Sequence, residues 1–425
     1  MNLDTLIGKL VQYFNKEMLQ FPERPSYTPL PDPDTSRPYL LYLHIPYCQV
    51  LCPFCSFHRV QFKESAATRY FRCLRSEIEQ VSDRGYRFDE VYFGGGTPTV
   101  LPGELIETIE LLKSRHGINT ISVETNPDDL RNGDLRPLKE AGVSRLSVGV
   151  QSFDDTLLKE MDRYEKYGSG DQVREALERI AGCFDTLNVD MIFNFPHQTR
   201  ESLERDLEIL AREIVVDQVS FYPLMNVDGK DKSLERAMGK VGYSREREFY
   251  ELIVERLLDA GYTRNSAWCF SRKPGMFDEY IVDREEYVGL GSGSFSYLRG
   301  SLYSSTFSIG EYRRYVESGK TGTVFRQDLN TRDQKRYYMM MELFGGTLDK
   351  RAAAKRFGGD LGLWREFTAL QMIGAIRDRG DTLELTERGQ YLWVVMMREF
   401  FAGVNRLREK MRHTLPDAAR RAGDM

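Results

Sequence analysis

From Tyr39 to Leu224 the chain alternates short apolar runs with stretches of helical period, and this alternation limits the fold more than any other feature. Six runs read as strands: YLLYLHI, DEVYFGG, TISVETN, RLSVGVQ, LNVDMIF and QVSFYPL. Between them lie ATRYFRCLRSEIEQV, GELIETIELLKSR, LRPLKEAG, DQVREALERIAG and ESLERDLEILARE, whose apolar residues recur at helical spacing. Strands separated by helices pair in parallel through right-handed crossovers. Runs that are nearly apolar throughout suit a sheet covered by helices on both faces. The expectation is an α/β fold of six βα units, an open rather than a closed barrel, with its chemistry at the carboxyl ends of the strands.

The rest of the chain divides around this unit. Residues 1–38 read as a leader, an amphipathic stretch followed by the Pro-rich PERPSYTPLPDPDTSRP, which cannot lie inside a helix. Residues 39–225 form the core, and 226–325 a less regular extension rich in Arg, Tyr, Gly and Ser. Residues 326–425 turn helical, with a strand-like TLELTERG and a helix from Gln390 to Arg412; the order helix, helix, hairpin, helix resembles a winged helix.

A net charge of −5 over 425 residues gives no reason to expect nucleic acid or an anionic membrane as the main partner. No segment approaches the roughly 20 apolar residues that span a bilayer, so a cytoplasmic, reducing setting is expected. There, cysteines are more often ligands or buried thiols than disulfides. The six cysteines divide three and three: Cys48, Cys52 and Cys55 are crowded, whereas Cys73, Cys183 and Cys269 are scattered and read as small buried residues.

The crowded three stand in HIPYCQVLCPFCSF as C-x3-C-x2-C. Three thiolates on one loop can each hold one iron of a [4Fe-4S] cubane and leave the fourth iron open. S-adenosylmethionine (SAM) can chelate such an iron through its amino and carboxylate groups and accept an electron into its sulfonium. A zinc site completed by His44 or His58 is the alternative that spacing leaves open. Further polar residues fall just after, or within, successive strands: Gly94-Gly95-Gly96-Thr97-Pro98, Glu124, Gln151 with Arg163 beyond it, and Asp190. A glycine run allows close backbone approach to a ligand and leaves N–H groups to bond it. Glu124 suits ribose hydroxyls.

In combination, YLHIPYCxxxCxFCxF, VYFGGGTPT, LSVGVQSF, NVDMIFNFPxQT and YVGLGSGSFS resemble one branch of the radical SAM proteins. That branch includes oxygen-independent coproporphyrinogen III oxidase, its haem-chaperone relative and the class C radical SAM methyltransferases. The resemblance runs from about Tyr39 to Phe295 and more faintly to the C-terminus. It implies a partial (β/α)6 radical SAM barrel with a smaller, mostly helical C-terminal domain. It also implies a [4Fe-4S] cluster on Cys48, Cys52 and Cys55, and two molecules of SAM. Tyr42 and Gly94 would contact the cluster-bound SAM, Thr97 belongs to the same cofactor-binding set, and Glu124 would hold the ribose. Phe54, Gly95, Gly96, Gln151, Arg163 and Asp190 would line the second SAM. No catalytic residue beyond the cluster is identified.

Two departures from the branch matter. Coproporphyrinogen oxidases carry another cysteine two residues after the third ligand, where this chain has Phe57. The chaperone's HNxxYW motif is missing from FDEYIVDREEYVGLGSG. The remaining match is to methyltransferases such as menaquinone C8-methyltransferase and anaerobilin synthase. In these, one SAM yields a deoxyadenosyl radical that takes hydrogen from the methyl of the other, and the methylene radical adds to an sp2 carbon. A menaquinone substrate would use an aromatic groove of Phe221, Tyr222, Leu224, Met225, Trp268, Phe270, Met276 and Phe277. The helix YLWVVMMREFFAGV would then border a lipid-facing mouth, giving a peripheral membrane contact. Haem is the alternative, with Arg264, Arg272, Arg284 and Arg299 as candidate partners for its propionates. A low-potential electron donor such as flavodoxin or ferredoxin is implied in either case.

Overall fold

All six expected strands form in the computed structural model, which describes residues 7–9, 11–13, 19, 26–225, 239, 241–273 and 284–413. They are β1 (Tyr39–Ile45), β2 (Phe88–Gly95), β3 (Thr120–Thr125), β4 (Arg145–Gln151), β5 (Thr186–Phe193) and β6 (Gln218–Pro223). Each pairs in parallel with the next. The crossovers include helices Glu64–Asp83, Pro102–His116, Gly170–Ile180 and Arg200–Glu208.

The sheet is wider than six strands. Beyond β6 lie β7 (Thr263–Arg264) and β8 (Cys269–Ser271); beyond β1 lie β9 (Tyr287–Leu290), β10 (Phe295–Leu298), β11 (Ser301–Ser305) and β12 (Thr323–Asp328). The order is β12-β11-β10-β9-β1-β2-β3-β4-β5-β6-β8-β7, an open sheet among the described residues. Strand β9 runs parallel to β1, while β10–β12 and β7–β8 are antiparallel additions. The extension expected to be irregular therefore supplies both edges of the sheet. Its glycine and serine content had hidden these short strands, and β9 pairs with a strand distant in sequence.

The two faces of the sheet differ, which corrects the expectation of strands apolar on both sides. Side chains alternate along a strand. One set, including Leu41, Leu43, Phe93, Val123, Val148, Val189 and Phe221, is buried against the helices. The other set reads Tyr42 and His44, Tyr92, Ser122 and Glu124, Arg145 and Ser147, Asn188 and Asp190, Gln218 and Ser220. These polar groups bond to one another across the strands. Ser147 Oγ donates to Asp190 at 2.7 Å, and Asn188 Nδ2 donates to Ser147 and Asp190, both at 2.8 Å. Ser220 donates to Asn188 at 3.2 Å, Arg145 Nε to Gln218 at 2.9 Å, and Gln218 Nε2 to Ser271 at 3.1 Å. The concave side is thus a hydrogen-bonded wall.

After β12 come a helix (Thr331–Phe344), a strand (Thr347–Asp349), helices Lys350–Phe357 and Trp364–Met372, a hairpin (Ile376–Asp378 and Thr382–Leu385) and the last helix, Glu387–His413. Thr382–Leu385 is central in the three-stranded sheet. The apolar run of the last helix is inside the protein: Tyr391, Leu392, Trp393, Val394, Val395, Met397 and Phe400 are all at most 5% exposed. It packs rather than facing lipid.

Candidate active site

The cysteine loop leaves β1 at the carboxyl end of the sheet. Its base is a short parallel pairing of Tyr47–Cys48 with Val60–Gln61, and Phe62 N–H donates to the Cys48 carbonyl at 2.9 Å. Cys48 and Cys52 are buried, Cys55 is half-buried, and none is in a disulfide. Thr97 Oγ1 donates toward Cys48 Sγ at 3.6 Å, and Arg163 Nη1 toward Cys52 Sγ at 3.6 Å. Burial, then the neighbouring Cys55 sulfur, pushes the Cys48 thiol up to about 12. A metal that takes the protons' place removes that penalty.

The two histidines that might complete a zinc site are engaged elsewhere. His44 Nε2 lies 2.8 Å from the His58 carbonyl, which can only accept, so the proton sits on Nε2. Nδ1 then accepts from the Tyr42 hydroxyl at 3.0 Å. Burial pushes His44 down to about 3, which keeps it neutral. His58 Nε2 meets Ser292 Oγ at 3.2 Å. Among the described residues, no three His, Cys, Asp or Glu side chains form a site for a single ion. Three thiols on one loop, two of them met by hydrogen-bond donors, fit irons at separate corners of a cluster better than one tetrahedral zinc.

The glycine run follows β2 and does a different job from the one expected. Gly95 N–H donates to Glu124 Oε2 at 3.0 Å, Gly96 N–H to the Ile45 carbonyl at 2.7 Å, and Thr97 N–H to the Tyr47 carbonyl at 2.8 Å. These groups serve the protein itself rather than standing free for a ligand. A Cβ on Gly96 would meet the Tyr47 carbonyl oxygen at 2.7 Å, and one on Gly95, whose φ is +116°, would meet the His44 ring at 2.6 Å. The glycines therefore let β2 close against the chain that carries the cysteines. Gly94 is where a Cβ would face Glu124, Tyr42 and Tyr92, at 2.9, 3.0 and 3.0 Å.

Glu124, on β3, also accepts from the Tyr92 hydroxyl at 2.9 Å. Burial, then the nearby negative charge of Asp190, raises its carboxyl to about 7. Asp190, on β5, accepts from Ser147 and Asn188 in the polar wall. Gln151 ends β4 with φ +77°, a left-handed conformation uncommon outside glycine, and its amide lies over Gly149. Arg163 is 4% exposed and donates to the Gly149 carbonyl; its Nη2 also reaches Asn126 Oδ1 at 3.1 Å. Its guanidinium lies 4.2 Å from the centre of the Tyr167 ring. Phe54 turns to another side, against Phe195 at 6.4 Å between ring centres, beside Leu157, Leu158 and Met161.

Asn126 was missed in the sequence. Before Pro127, at the start of helix Pro127–Asn132, it reads as an N-cap, yet its side chain makes no capping bond. Instead Nδ2 donates to Thr97 Oγ1 at 2.9 Å while Oδ1 accepts from Arg163. A continuous chain results: Cys48 Sγ, Thr97, Asn126, Arg163, Cys52 Sγ.

Several substrate candidates lie elsewhere. Arg284 pairs with Asp89 and Glu90 at the amino end of β2, at 2.9 and 3.2 Å. Arg272 donates to the Val216 carbonyl before β6, and Arg299 follows β10 at that same end. Arg264 lies on edge strand β7, 6.0 Å from the Phe270 ring centre. Phe221 and Phe270 are core residues, and Trp268 is packed against Phe344 and Phe401. Met276 and Phe277 lie outside the described residues, as do residues 1–6, 10, 14–18 and 20–25 of the leader. Cys183 is exposed, so it is not the small core residue expected, whereas Cys269 is.

Residues 42–210 match the radical SAM superfamily. The heme chaperone HemW of Bacillus subtilis is 28% identical over 373 residues, covering 83% of this chain and 96% of that protein. The anaerobilin synthase of Escherichia coli O157:H7 is 28% identical over 298 residues, covering 67% of this chain and 66% of that protein. Among solved structures, the coproporphyrinogen III oxidase HemN of Escherichia coli shares the fold, with a TM-score of 0.70 at 20% identity over 91% of this chain and 93% of that one. With the cysteine loop, the glycine-rich strand end and the sheet in the arrangement described, the chain has the radical SAM α/β fold and is similar to the HemN-like proteins, HemW and anaerobilin synthase among them.

Proposed function

We propose that the protein is a radical SAM C-methyltransferase that uses two SAM molecules to methylate an sp2 carbon of a flat conjugated ring. When bound on the three thiolates, a [4Fe-4S] cluster offers an open iron to SAM and the electron that splits its sulfonium. The chain's own residues do the rest. Cys48, Cys52 and Cys55 hold the cluster, and Thr97 and Arg163 supply the N–H and O–H groups that face two of the sulfurs. Glu124, fixed by Tyr92 and Gly95, presents a carboxyl group at the strand ends to ribose hydroxyls. Gly94 leaves that carboxyl uncovered.

The observation that carries the reading is the meeting of Arg163 with Cys52. Arg163 was expected at the second SAM, and it stands at a sulfur expected to serve the first. Two SAM-sized ligands would then share one opening, as methyl transfer between them requires.

For the substrate, the relatives named for haem and coproporphyrinogen favour a tetrapyrrole. Menaquinone drew its support from an aromatic groove and an apolar helix that are largely core. The test is an anaerobic assay of reconstituted protein with SAM, a low-potential reductant and either haem or menaquinone, read by mass spectrometry. A tetrapyrrole gaining one methyl, with deoxyadenosine and S-adenosylhomocysteine both formed, is the expected result. A methylated menaquinone would overturn the substrate. SAM cleavage without methylation of either ring would overturn the methyltransferase reading, and stoichiometric haem binding without SAM cleavage would point to a chaperone.

A further inference from the structure

Behind the strand ends stands a carboxyl group with no assigned part. Asp206 lies on helix Arg200–Glu208 and is 1% exposed. Its Oδ1 accepts from Phe153 N–H and its Oδ2 from the Ser152 hydroxyl, both at 2.8 Å. Ser152 Oγ in turn accepts from Asp154 N–H at 3.1 Å, so its own hydrogen is committed to Asp206. Both partners therefore donate, and a carboxylate offers each its own oxygen. Burial pushes this carboxyl up to about 7 against the pull of the two donors, which marks it as a costly group to keep inside.

The residue just before this clamp is Gln151, at φ +77°. A residue other than glycine persists in that conformation only where its surroundings hold it. Asp206 fixes the two residues that follow. A Cβ on Gly170 would meet the Phe153 carbonyl oxygen at 1.8 Å, so the start of helix Gly170–Ile180 closes on the same residue. Held in this way, the Gln151 amide nitrogen lies 2.9 Å from where a Cβ of Gly149 would stand, and Asn126 Oδ1 lies 3.7 Å from that point. Arg163 donates to the Gly149 carbonyl and to Asn126, and Gly149 is opposite Asp190 in the register of β4 and β5. Gln151, Arg163 and Asp190 thus gather at one strand end.

We propose that Asp206 is a positioning residue: through Ser152 and Phe153 it holds Gln151 in its left-handed turn and so aims the glutamine amide at the second SAM. This rests on the reading that two SAM molecules share the opening, with Gln151 at the second. Without the clamp the turn relaxes to an ordinary conformation and the amide moves away from Arg163. The effect falls on one SAM position, since the first rests on the cysteine loop and Glu124, to which Asp206 makes no bond among the described residues.

The experiment counts SAM bound to the reconstituted protein, by anaerobic equilibrium dialysis with radiolabelled SAM and no reductant, so that none is consumed. Wild type is compared with D206A, D206N, Q151A and D206A/Q151A, and iron content is measured on each. Wild type is expected to bind two molecules. D206A should keep one of the two affinities and weaken the other about tenfold, as a displaced ligand group does. D206N has one carbonyl oxygen for two donors and should fall between them. The double variant should bind no more weakly than Q151A, because both changes remove the same contact. Two wild-type affinities in D206A overturn the proposal, as does equal weakening at both positions or additive weakening in the double variant. A wild type that binds a single SAM overturns the two-SAM reading instead, so the two failures are distinguishable. Should D206A take up no iron, D206N, of nearly the same shape, decides by the same criteria.

Discussion

The Nη1 of Arg163 lies 3.6 Å from the sulfur of Cys52, while Nη2 of the same guanidinium lies 3.1 Å from Asn126 Oδ1. One planar group therefore connects the loop after β4 to the cysteine loop and to the turn after β3. A lysine has no such fork. Arg163→Lys is expected to retain the fold and iron content but to lower SAM cleavage at least tenfold, measured as deoxyadenosine formed per minute. Unchanged turnover would show that the fork is dispensable.

Asn126 completes the link from Arg163 to Thr97 and hence to Cys48. Asn126→Ala removes two hydrogen bonds, each worth about 1 kcal/mol. The visible spectrum of the reconstituted protein should bleach faster in air than that of the wild type. Asn126→Asp leaves an acceptor for Arg163 but no donor for Thr97, so it should lie between the two.

Gly96 is enclosed by backbone, with the Ile45 and Tyr47 carbonyl oxygens and the Pro46 carbonyl carbon all within 2.9 Å of where a Cβ would stand. No side chain can rotate away to make room. Gly96→Ala is expected to cost about 1–3 kcal/mol of stability and to displace the cysteine loop. Chemical denaturation checks the first effect and iron content after reconstitution the second.

Glu124 should give the protein a pH-dependent stability. Its carboxyl sits at about 7 in the fold against 4.5 when exposed, through burial first and Asp190 second. Between those values the folded protein binds the extra proton, so this contribution is complete below about pH 4.5, declines as pH rises, and is lost above about pH 7. In Glu124→Gln the melting temperature should therefore fall less between pH 5 and pH 7 than in the wild type. Parallel curves would show that Glu124 is already ionised at pH 5.

At the opposite end of the sheet, Arg284→Ala tests the reassignment of a candidate propionate ligand. Its pair with Asp89 and Glu90 is partly exposed and should be worth no more than about 1 kcal/mol. Under the proposed function, methyl transfer should keep its KM for the ring substrate. A large rise in KM would return Arg284 to the substrate site.

The strands were legible because their apolar periodicity is local, and β1 and β4 fall on the residues expected. The polar wall was legible too and was overlooked. Ser122 and Glu124, Ser147 and Gly149, and Asn188 and Asp190 recur two apart, which is the signature of one face. Strand β9 was hidden because its partner β1 lies more than 240 residues earlier, as the pairing of Leu40 with Tyr287 illustrates. The cysteine spacing pointed to a cluster but left zinc open, and that His44 and His58 are engaged elsewhere is visible only in the fold. Nothing local distinguished Asn126 from a helix cap, or Asp206 from any other acid on a helix, since both act on residues that only the fold brings near.

The polar wall also has a consequence for how proteins of this shape diversify. Its side chains are bonded across β4, β5 and β6, so truncating any one of them would strand several partners at once. The floor therefore acts as a fixed stop that sets how deep any ligand can sit. A different ligand would be met by changes in the loops at the strand ends rather than in this floor.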